Sequence, residues 1–326
     1  MGFFYLLALS LPKTNTILNT TPEKKGFHPR NKHNVAYDFE KLISTTPTLK
    51  EFVAINKFGN ESIDFSNPKA VKTLNAALLK TYYNIEYWDI PEGFLCPPIP
   101  GRAEYIHHIA DVLSEVYGEI PTGKKIKVLD IGIGSNCIYP IIGINEYGWQ
   151  FVGSEIDGQA IKWADKIVKS NSILKDSVEL RMQSSKRNIF KGIINEGEIF
   201  DMTLCNPPFH SSKEEATKGT IRKVKNLNNE VTAKPTLNFG GVNNELWCDG
   251  GEIAFITNMI YESIHFKTQS LWFSTLVSKK ENLKSIYKLL KKVGTADVKT
   301  IDLSQGNKTS RLVFWTFKDL KLEKKE

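Results

Sequence analysis

Four consecutive residues, Asn206-Pro207-Pro208-Phe209, have the groups needed to hold a planar amino group. They follow the apolar segment 200–205, which predicts a buried strand. Proline has a fixed φ and no N–H, so the two prolines keep nearby backbone carbonyls out of a regular hydrogen-bond ladder. Asn206 then offers a side-chain carbonyl, and Phe209 offers a flat apolar face. The alternative is a strand-terminating turn with a packed phenylalanine, because Asn-Pro turns are common.

A second motif lies upstream, where the predicted strand 125–130 runs into two glycines. Gly132 and Gly134 allow a tight strand-to-helix turn and a close approach of the backbone to a ligand. Cys137 takes the place of the third glycine of the dinucleotide fingerprint, and a lone Gly-x-Gly is weak evidence.

An acidic residue, Glu155, lies 23 positions after Gly132, at the end of the next predicted strand. A carboxylate placed there can accept hydrogen bonds from ribose hydroxyls. The glycine turn, the acidic strand end and the Asn-Pro-Pro-Phe turn together favour a cofactor that contains adenosine. The missing third glycine argues against a pyrophosphate, and so against NAD. It fits S-adenosyl-L-methionine, which has no phosphate.

These features resemble class I methyltransferases that act on amino nitrogens. Flanking segments narrow the resemblance to the RlmF family, bacterial adenine-N6 methyltransferases of large-subunit ribosomal RNA that are related to eukaryotic snRNA methyltransferases. The segments that carry it are His28-Pro29-Arg30-Asn31, Asp64-Phe65, Asn67-Pro68, Pro100-Gly101-Arg102, Tyr105-Ile106-His107, Cys137-Ile138-Tyr139-Pro140 and Asn238-Phe239-Gly240-Gly241. The similarity covers roughly residues 24 to 318. It implies transfer of a methyl group to the N6 amine of one adenine in 23S ribosomal RNA, the family's adenine 1618.

The expected chemistry is alignment of a weak nucleophile, because the lone pair of the adenine amine is delocalised into the ring. We expect Asn206 Oδ1 and the Pro207 carbonyl to accept the two N–H bonds of that amine. Phe209 is expected to stack on the base, which must swing out of any helix. Positioning and electrostatics should then supply most of the rate. The catalytic candidates are Asn206, Pro207, Pro208 and Phe209.

The candidates for cofactor binding are Arg102, Asp130, Gly132, Gly134, Glu155 and Asn206. Arg102 is the candidate for the methionine carboxylate because of its charge and its match to the family's Pro-x-Arg loop. Asp130 and Asp157 are expected to orient the site rather than to act in the chemistry.

Composition favours a polyanionic partner, because the formal net charge is +7 and the pI is near 9.0. Two basic segments are candidates for RNA contact, one before the fold and one after the catalytic turn. The residues are Lys24, Lys25, Arg30 and Lys32 in the first, and Arg222, Lys223 and Lys225 in the second. The alternative is that both are solvated charge runs. The expected partner is 23S ribosomal RNA, free or in an assembling particle.

Several classes of site are disfavoured. The four cysteines are scattered and contain no C-x-x-C pair, which argues against zinc or disulfides and predicts a reducing, cytoplasmic location. A metal role for His107 and His108 is disfavoured, since both are expected on a helix surface or capping the core. The apolar run 3–11 is too short to span a bilayer and no Lys or Arg precedes it. We therefore expect a monomer without metal or membrane partner.

The fold class expected is α/β, a class I S-adenosylmethionine-dependent methyltransferase with a mostly parallel seven-stranded sheet and a terminal antiparallel hairpin, preceded by an N-terminal helical RNA-binding region. Strands are predicted at 126–130, 150–154, 178–182, 200–205, 270–277, 297–303 and 311–317. Helices are predicted after the N-cap Asn67 and over 103–117, with a rigid loop 96–102 projecting Arg102. The expected regions are a disordered or misassigned leader (1–23), a basic arm and helical region (24–120), a methyltransferase domain (121–320) with an inserted loop (210–250), and a charged tail (321–326).

Other functions stay open from the sequence alone. A protein-glutamine methyltransferase uses the same Asn-Pro-Pro turn for an amide nitrogen, and an adenine-N6 methyltransferase that acts on another RNA or on DNA shares the chemistry. The basic segments favour RNA over a peptide, and only RNA has the 2′-hydroxyl that separates it from DNA. A catalytically inactive RNA-binding protein is disfavoured by the intact Asn-Pro-Pro-Phe turn, and a NAD-dependent dehydrogenase by the two-glycine turn.

Overall fold

The protein, seen here in a computed structural model, is described for residues 26–212, 214–215, 243–305 and 308–320. The predicted leader, the charged tail, Lys24, Lys25, Arg222, Lys223, Lys225 and most of the inserted loop lie outside these residues. The strands are β1 (Val53–Ile55), β2 (Glu61–Ile63), β3 (Lys127–Ile131), β4 (Gln150–Glu155), β5 (Val178–Met182), β6 (Phe200–Cys205), β7 (Ser270–Val277), β8 (Asp297–Gln305) and β9 (Lys308–Thr316). The helices are α1 (Phe39–Thr45), α2 (Pro68–Tyr83), α3 (Ile99–Tyr117), α4 (Ile138–Tyr147), α5 (Gly158–Lys169), α6 (Ser172–Lys175), α7 (Asn243–Leu246), α8 (Gly251–Ser263) and α9 (Leu283–Val293).

A seven-stranded sheet forms the centre of the molecule, with strand order β5-β4-β3-β6-β7-β9-β8. The first five strands in that order pair in parallel, whereas β9 pairs antiparallel with both β7 and β8. This confirms the predicted fold class and the terminal hairpin. Within the described residues, no helix is long and apolar enough to cross a membrane.

Both faces of the sheet are buried, because alternate residues of each strand pack into different clusters. Val128 and Trp272 belong to the larger core, which includes buried residues of α2, α3 and α4. Leu129 and Phe273, their chain neighbours, belong to the smaller core, which includes buried residues of α8 and α9. The N-terminal helices therefore share a core with one face of the sheet.

The start of α2 agrees with the predicted capping signal. The side chain of Asn67 accepts hydrogen bonds from the N–H groups of Lys69 (3.0 Å) and Ala70 (3.3 Å), and proline occupies the first helical position. The apolar residues that recur at helical spacing along α2 and α3 are buried: Val71, Leu74, Leu78, Ile106, Ile109, Ala110 and Leu113.

Two predictions for the N-terminal region were wrong. α3 begins at Ile99 rather than at residue 103, so Arg102 lies in its first turn and not on a projecting loop. Pro100 is compatible with a helix there because the N–H groups of a first turn have no intrahelical partner. Residues 53–63 form an antiparallel hairpin inside the region predicted as helical. The sequence feature that could have indicated this hairpin is its turn. The side chain of Asn56 accepts hydrogen bonds there from the N–H groups of Phe58 and Asn60.

The segment before α1 is docked on the helices through polar contacts. The side chain of Asn31 donates to Glu104 (2.7 Å), and the ring of His33 bonds to the hydroxyl of Tyr83 (2.9 Å). Asn31 and His33 are both buried. The described part of the basic segment is thus built into the fold.

Candidate active site

The three sequence motifs meet at one edge of the sheet. β4, β3 and β6 are parallel neighbours, so their carboxyl ends lie side by side. A ligand site is expected at this edge of an open α/β sheet. A cleft with a volume of about 320 Å³ opens there. Its lining includes seven of the predicted site residues, Arg102, Gly132, Gly134, Glu155, Asn206, Pro207 and Pro208.

The glycine turn after β3 needs its two glycines for conformational reasons. Gly132 (φ 74°) and Gly134 (φ 65°) both adopt the left-handed conformation that other residues rarely take. The N–H groups of Gly132 and Ile133 donate to the Ser154 carbonyl at 2.9 and 3.0 Å, which ties the turn to β4. Cys137, at the place of the missing third glycine, is also left-handed (φ 52°) and is the N-cap residue just before α4. The turn therefore keeps its shape without that glycine.

Glu155 fixes the tip of β4 to the glycine turn. One of its carboxylate oxygens accepts from the N–H of Gly134 (2.9 Å), and the other accepts from those of Ile156 (2.8 Å) and Asp157 (2.9 Å). Burial raises the pKa of Glu155, and these N–H groups oppose that rise. A carboxylate has about four acceptor sites, so with three of them used this one can still accept from a ribose hydroxyl.

Asp130, at the end of β3, is a buried carboxyl behind the cleft lining. Asp130 is 1% exposed, and neither of its two side-chain oxygens has a hydrogen-bond partner among the described residues. Burial raises the pKa of Asp130 well above its usual value, Glu155 raises it further, and Arg102 lowers it. A buried carboxyl in this state would be stabilised by a cationic group bound in the cleft.

Arg102 is held in the cleft wall by the first turn of α3. Its guanidinium carbon lies 5.7 Å from the centre of the Tyr139 ring, a cation–π contact. The cleft therefore has a fixed positive group as well as the carboxylate of Glu155. This combination suits a ligand that carries both a carboxylate and positive charge.

Asn206 follows the end of β6, and its Oδ1 is buried. No hydrogen-bond donor in the described ranges reaches this atom. The preceding backbone is fixed by Tyr105, whose hydroxyl lies 3.5 Å from both the N and the O of Cys205 and 3.0 Å from Ser274 Oγ. An orphaned acceptor at a fixed position is what binding of an amino group requires.

Phe209 is placed differently from Asn206. Its ring is half-buried against the larger core and does not contribute to the cleft lining. Stacking of Phe209 on a base therefore stays a prediction.

The far end of the inserted loop contributes residues that the sequence did not indicate. His210 pairs with Trp247 as an isolated parallel bridge, so the chain returns to the catalytic turn. Glu245 accepts from the N–H of Leu95 at 2.9 Å and lines the cleft together with Cys248. These contacts join segments about 150 residues apart, and no local pattern signals them.

The cysteines near the cleft do not behave as nucleophiles. Cys137 and Cys205 are buried, and burial raises the pKa of both thiols well above the usual value. The thiolate is the reactive form, so burial disfavours a nucleophilic role and both side chains pack in the cores.

One group of side chains within the described ranges has metal-ligand spacing. The ligand atoms of His28, His108 and Asp111 lie within 4.8 Å of one another. The N–H of Arg30 donates to Nδ1 of His28 (3.1 Å), so the ring proton is on Nε2, where it donates to Asp111 (2.8 Å). His28 is thus hydrogen-bonded on both ring nitrogens within the protein. The predicted position of the neighbouring His107, at the helix surface or capping the core, was wrong. Its side chain is fully buried and is hydrogen-bonded to the hydroxyl of Tyr147 (2.7 Å).

Two predicted RNA contacts are engaged within the protein. Arg30 pairs with Asp111 (2.7 Å) and donates to the hydroxyl of Tyr147 (2.9 Å). Lys32 pairs with Glu146 (2.8 Å). Both remain partly exposed, and their contact with RNA stays a prediction.

The chain is similar in sequence and in fold to known RNA methyltransferases. A family model described as RNA methyltransferase matches residues 21–319. A ribosomal RNA large subunit methyltransferase F of Flavobacterium johnsoniae is 58% identical over 298 residues, covering 90% of this chain and 94% of the relative. The catalytic domain of human Mettl16 in complex with MAT2A 3′UTR hairpin 1 superposes with a TM-score of 0.75 and 30% identity, covering 90% of this chain and 96% of that one. The N-terminal domain of human METTL16 in complex with SAH gives a TM-score of 0.71 and 27% identity, covering 90% and 100%.

Proposed function

Because the chain belongs to the RNA methyltransferase family whose model matches residues 21–319, we propose that it methylates the N6 amine of a specific adenine in 23S ribosomal RNA. The observation that carries this proposal is the buried Oδ1 of Asn206, which has no hydrogen-bond partner among the described residues and lies in the same cleft as the glycine turn and Glu155. The cofactor of the reaction is S-adenosyl-L-methionine.

The residues of the cleft fit this cofactor. It carries a sulfonium, an ammonium, a carboxylate and a ribose, and when bound it supplies an electrophilic methyl group. Arg102 would bind the carboxylate, and Glu155 would accept from the ribose hydroxyls. Asp130 would balance the positive charge, which accounts for a buried carboxyl with no hydrogen-bond partner among the described residues. Gly132 and Gly134 would border the cofactor, since both line the cleft and neither places a Cβ between the backbone and a ligand.

The Asn206 turn orients the nucleophile. Oδ1 of Asn206 and the carbonyl of Pro207 accept the two N–H bonds of the adenine amine, and this draws the nitrogen toward tetrahedral geometry. Its lone pair then faces the methyl donor, so the chain contributes alignment and preorganised dipoles rather than a strong base. Phe209 stacks on the base, which leaves its helix to reach the cleft.

Ribosomal RNA is the proposed substrate on two grounds. The relative from Flavobacterium johnsoniae is named a ribosomal RNA large subunit methyltransferase, and it is similar over nearly the full length of both chains. The net charge of +7 favours a polyanion. The substrate is free 23S RNA or an assembling particle, and the protein acts in the cytoplasm.

A transfer assay with methyl-labelled S-adenosylmethionine tests this function. The substrates are a 23S RNA transcript, the same transcript with guanine in place of adenine 1618, a DNA copy and a glutamine-containing peptide. Nuclease digestion and mass spectrometry should find N6-methyladenine in the first transcript and no incorporation in the other three. Label in DNA or peptide, or an RNA product other than N6-methyladenine, would refute the proposal.

A further inference from the structure

A row of lysines lies along the exposed face of α9, the helix after β7, and on the single turn that leads into it. We call the following residues the lysine row: Lys280, Lys284, Lys288 and Lys291. All four are exposed, and within the part of the chain that the structure describes none of them forms an ion pair. The other face of α9 is buried in the smaller core through Ile286 and Leu290. The lysine row therefore faces solvent as a continuous strip of charge.

The charge of this segment is unusually one-sided. Residues 279–293 contain six lysines and a single acidic residue, Glu281. The segment thus has a net charge of +5, in a chain whose formal net charge is +7. The positive charge along this segment is therefore locally dense and little offset by acidic residues of the same segment.

Helix stability does not account for the lysine row. Lysines in the last turn favour a helix, which explains Lys291, but Lys280 and Lys284 lie at the start, where the helix dipole is positive. Lysines spaced three or four residues apart on one face also repel each other. α5 shows the opposite arrangement, because it begins at the carboxylate cap Asp157 and pairs Lys169 with Asp165. The stability of α9 therefore gives no reason for the charges of Lys280 and Lys284.

The lysine row starts next to the catalytic turn. β7 is the parallel neighbour of β6, so the two strands end at the same edge of the sheet. Lys279, just after that end, lies 3.3 Å from Glu215, a carboxylate nine residues after Asn206. From there the lysine row extends away from the cleft for roughly 16 Å, at about 1.5 Å per residue.

We propose that the lysine row binds the phosphate backbone of the RNA substrate, beside the nucleotide whose base enters the cleft. This proposal rests on the proposed function. It places part of the contact with RNA on α9, which covers the side of the sheet that holds the smaller core. The N-terminal basic segment packs on the other face, so the two surfaces flank the sheet. An anionic membrane is disfavoured, because the apolar face of α9 that could enter a bilayer is already buried.

A matched pair of triple variants tests the lysine row. Lys280→Gln/Lys284→Gln/Lys288→Gln removes three of its charges. Lys124→Gln/Lys162→Gln/Lys175→Gln removes three charges from exposed lysines elsewhere on the surface, and so controls for net charge. Filter binding to the 23S RNA transcript over a series of salt concentrations gives the slope of log Kd against log salt. Each phosphate that the protein no longer neutralises should lower that slope by about 0.7–0.9.

We expect the slope to fall by about 2–3 for the lysine-row variant and to stay near the wild-type value for the control. At low salt the lysine-row variant should bind RNA roughly tenfold or more weakly. Its affinity for S-adenosylmethionine by calorimetry should be unchanged, and its melting temperature should not fall, since repulsion within α9 is relieved.

Equal slopes for the two triple variants would overturn the proposal. If the wild type methylates adenine in RNA while the slopes are equal, RNA binding by the lysine row is refuted and the proposed function stands. If the wild type methylates no RNA but the slope falls as expected, RNA binding by the lysine row is supported and the proposed function is refuted. Binding of wild type to phosphatidylglycerol vesicles, abolished in the lysine-row variant without any change in RNA slope, would assign the surface to membranes instead.

Discussion

Asp130 offers a test in which stability and ligand binding should change in opposite directions. Its carboxyl is buried, without a hydrogen-bond partner in the described ranges, and burial raises its pKa well above the usual 3.8. Near neutral pH the unfolded chain has this group ionised, whereas the folded state disfavours the charge. Asp130→Asn keeps the shape and removes the charge, so the cofactor-free variant should be more stable than wild type.

The size of both effects follows from the burial. Relief of an unpaired buried charge and of its repulsion from Glu155 should add about 1 kcal/mol, or a rise of about 2 °C in melting temperature. Loss of the countercharge should weaken cofactor binding by about 2 kcal/mol, roughly 30-fold. At 100 times the wild-type Kd, the cofactor stabilises wild type by about 2.7 kcal/mol but the variant by only about 0.9 kcal/mol. The order of melting temperatures should therefore reverse when the cofactor is added.

Thermal unfolding at pH 8 with and without S-adenosylmethionine, together with calorimetry, measures both effects. The direction of the pKa shift of Asp130 also predicts how stability depends on pH. Because the folded pKa is raised, the folded state holds the proton longer than the unfolded chain, and the destabilisation grows as pH rises above about 4. The advantage of the cofactor-free variant should shrink toward pH 4. A variant that is less stable without cofactor, or that binds the cofactor as tightly as wild type, would refute this reasoning.

Three further predictions concern the cofactor, the histidines and the N-terminal segment. Glu155→Ala should weaken S-adenosylmethionine binding by about 1–3 kcal/mol by calorimetry, and unchanged affinity or tight NAD binding would contradict the assignment. Burial lowers the pKa of His107 to about 3, so between that pH and about 6.5 the unfolded chain binds more protons and stability falls as pH falls. In denaturant titrations, His107→Gln should reduce the stability difference between pH 7 and pH 5 by about 2 kcal/mol, whereas the exposed control His265→Gln should not. Replacing Lys24 and Lys25 by Gln should lower the salt slope of RNA binding by about 0.7–0.9 for each phosphate no longer neutralised, with cofactor affinity unchanged, and an identical slope would favour solvated charge.

The fold and the cofactor edge could be predicted because local patterns determine them. Buried strands show as apolar runs, and Gly132, Glu155 and Asn206 each directly follow or end one. Parallel strands bring their carboxyl ends to the same edge, so residues far apart in sequence become neighbours without any further information. The cleft confirms that these residues lie together.

Other features depend on contacts that no local pattern contains. Arg102 was expected on a loop because of the surrounding prolines, but a first helical turn accommodates Pro100. Burial of His107 follows from packing against Tyr147, and the contact of Glu245 with Leu95 requires the inserted loop to return to the cleft. The lysines of α9 are visible in the sequence, whereas their position beside the catalytic turn requires the strand order.

The most direct test of the central claim is a map of N6-methyladenine on 23S ribosomal RNA from cells that carry the wild-type gene, no gene, or the Asn206→Ala gene. Purified Asn206→Ala should bind S-adenosylmethionine within a few-fold of wild type, so any loss of methylation reports on the nucleophile rather than the cofactor. We predict one methylated adenine with the wild-type gene that is unmethylated in the other two strains. Wild-type methylation by Asn206→Ala, or a map that does not change when the gene is removed, would contradict the account.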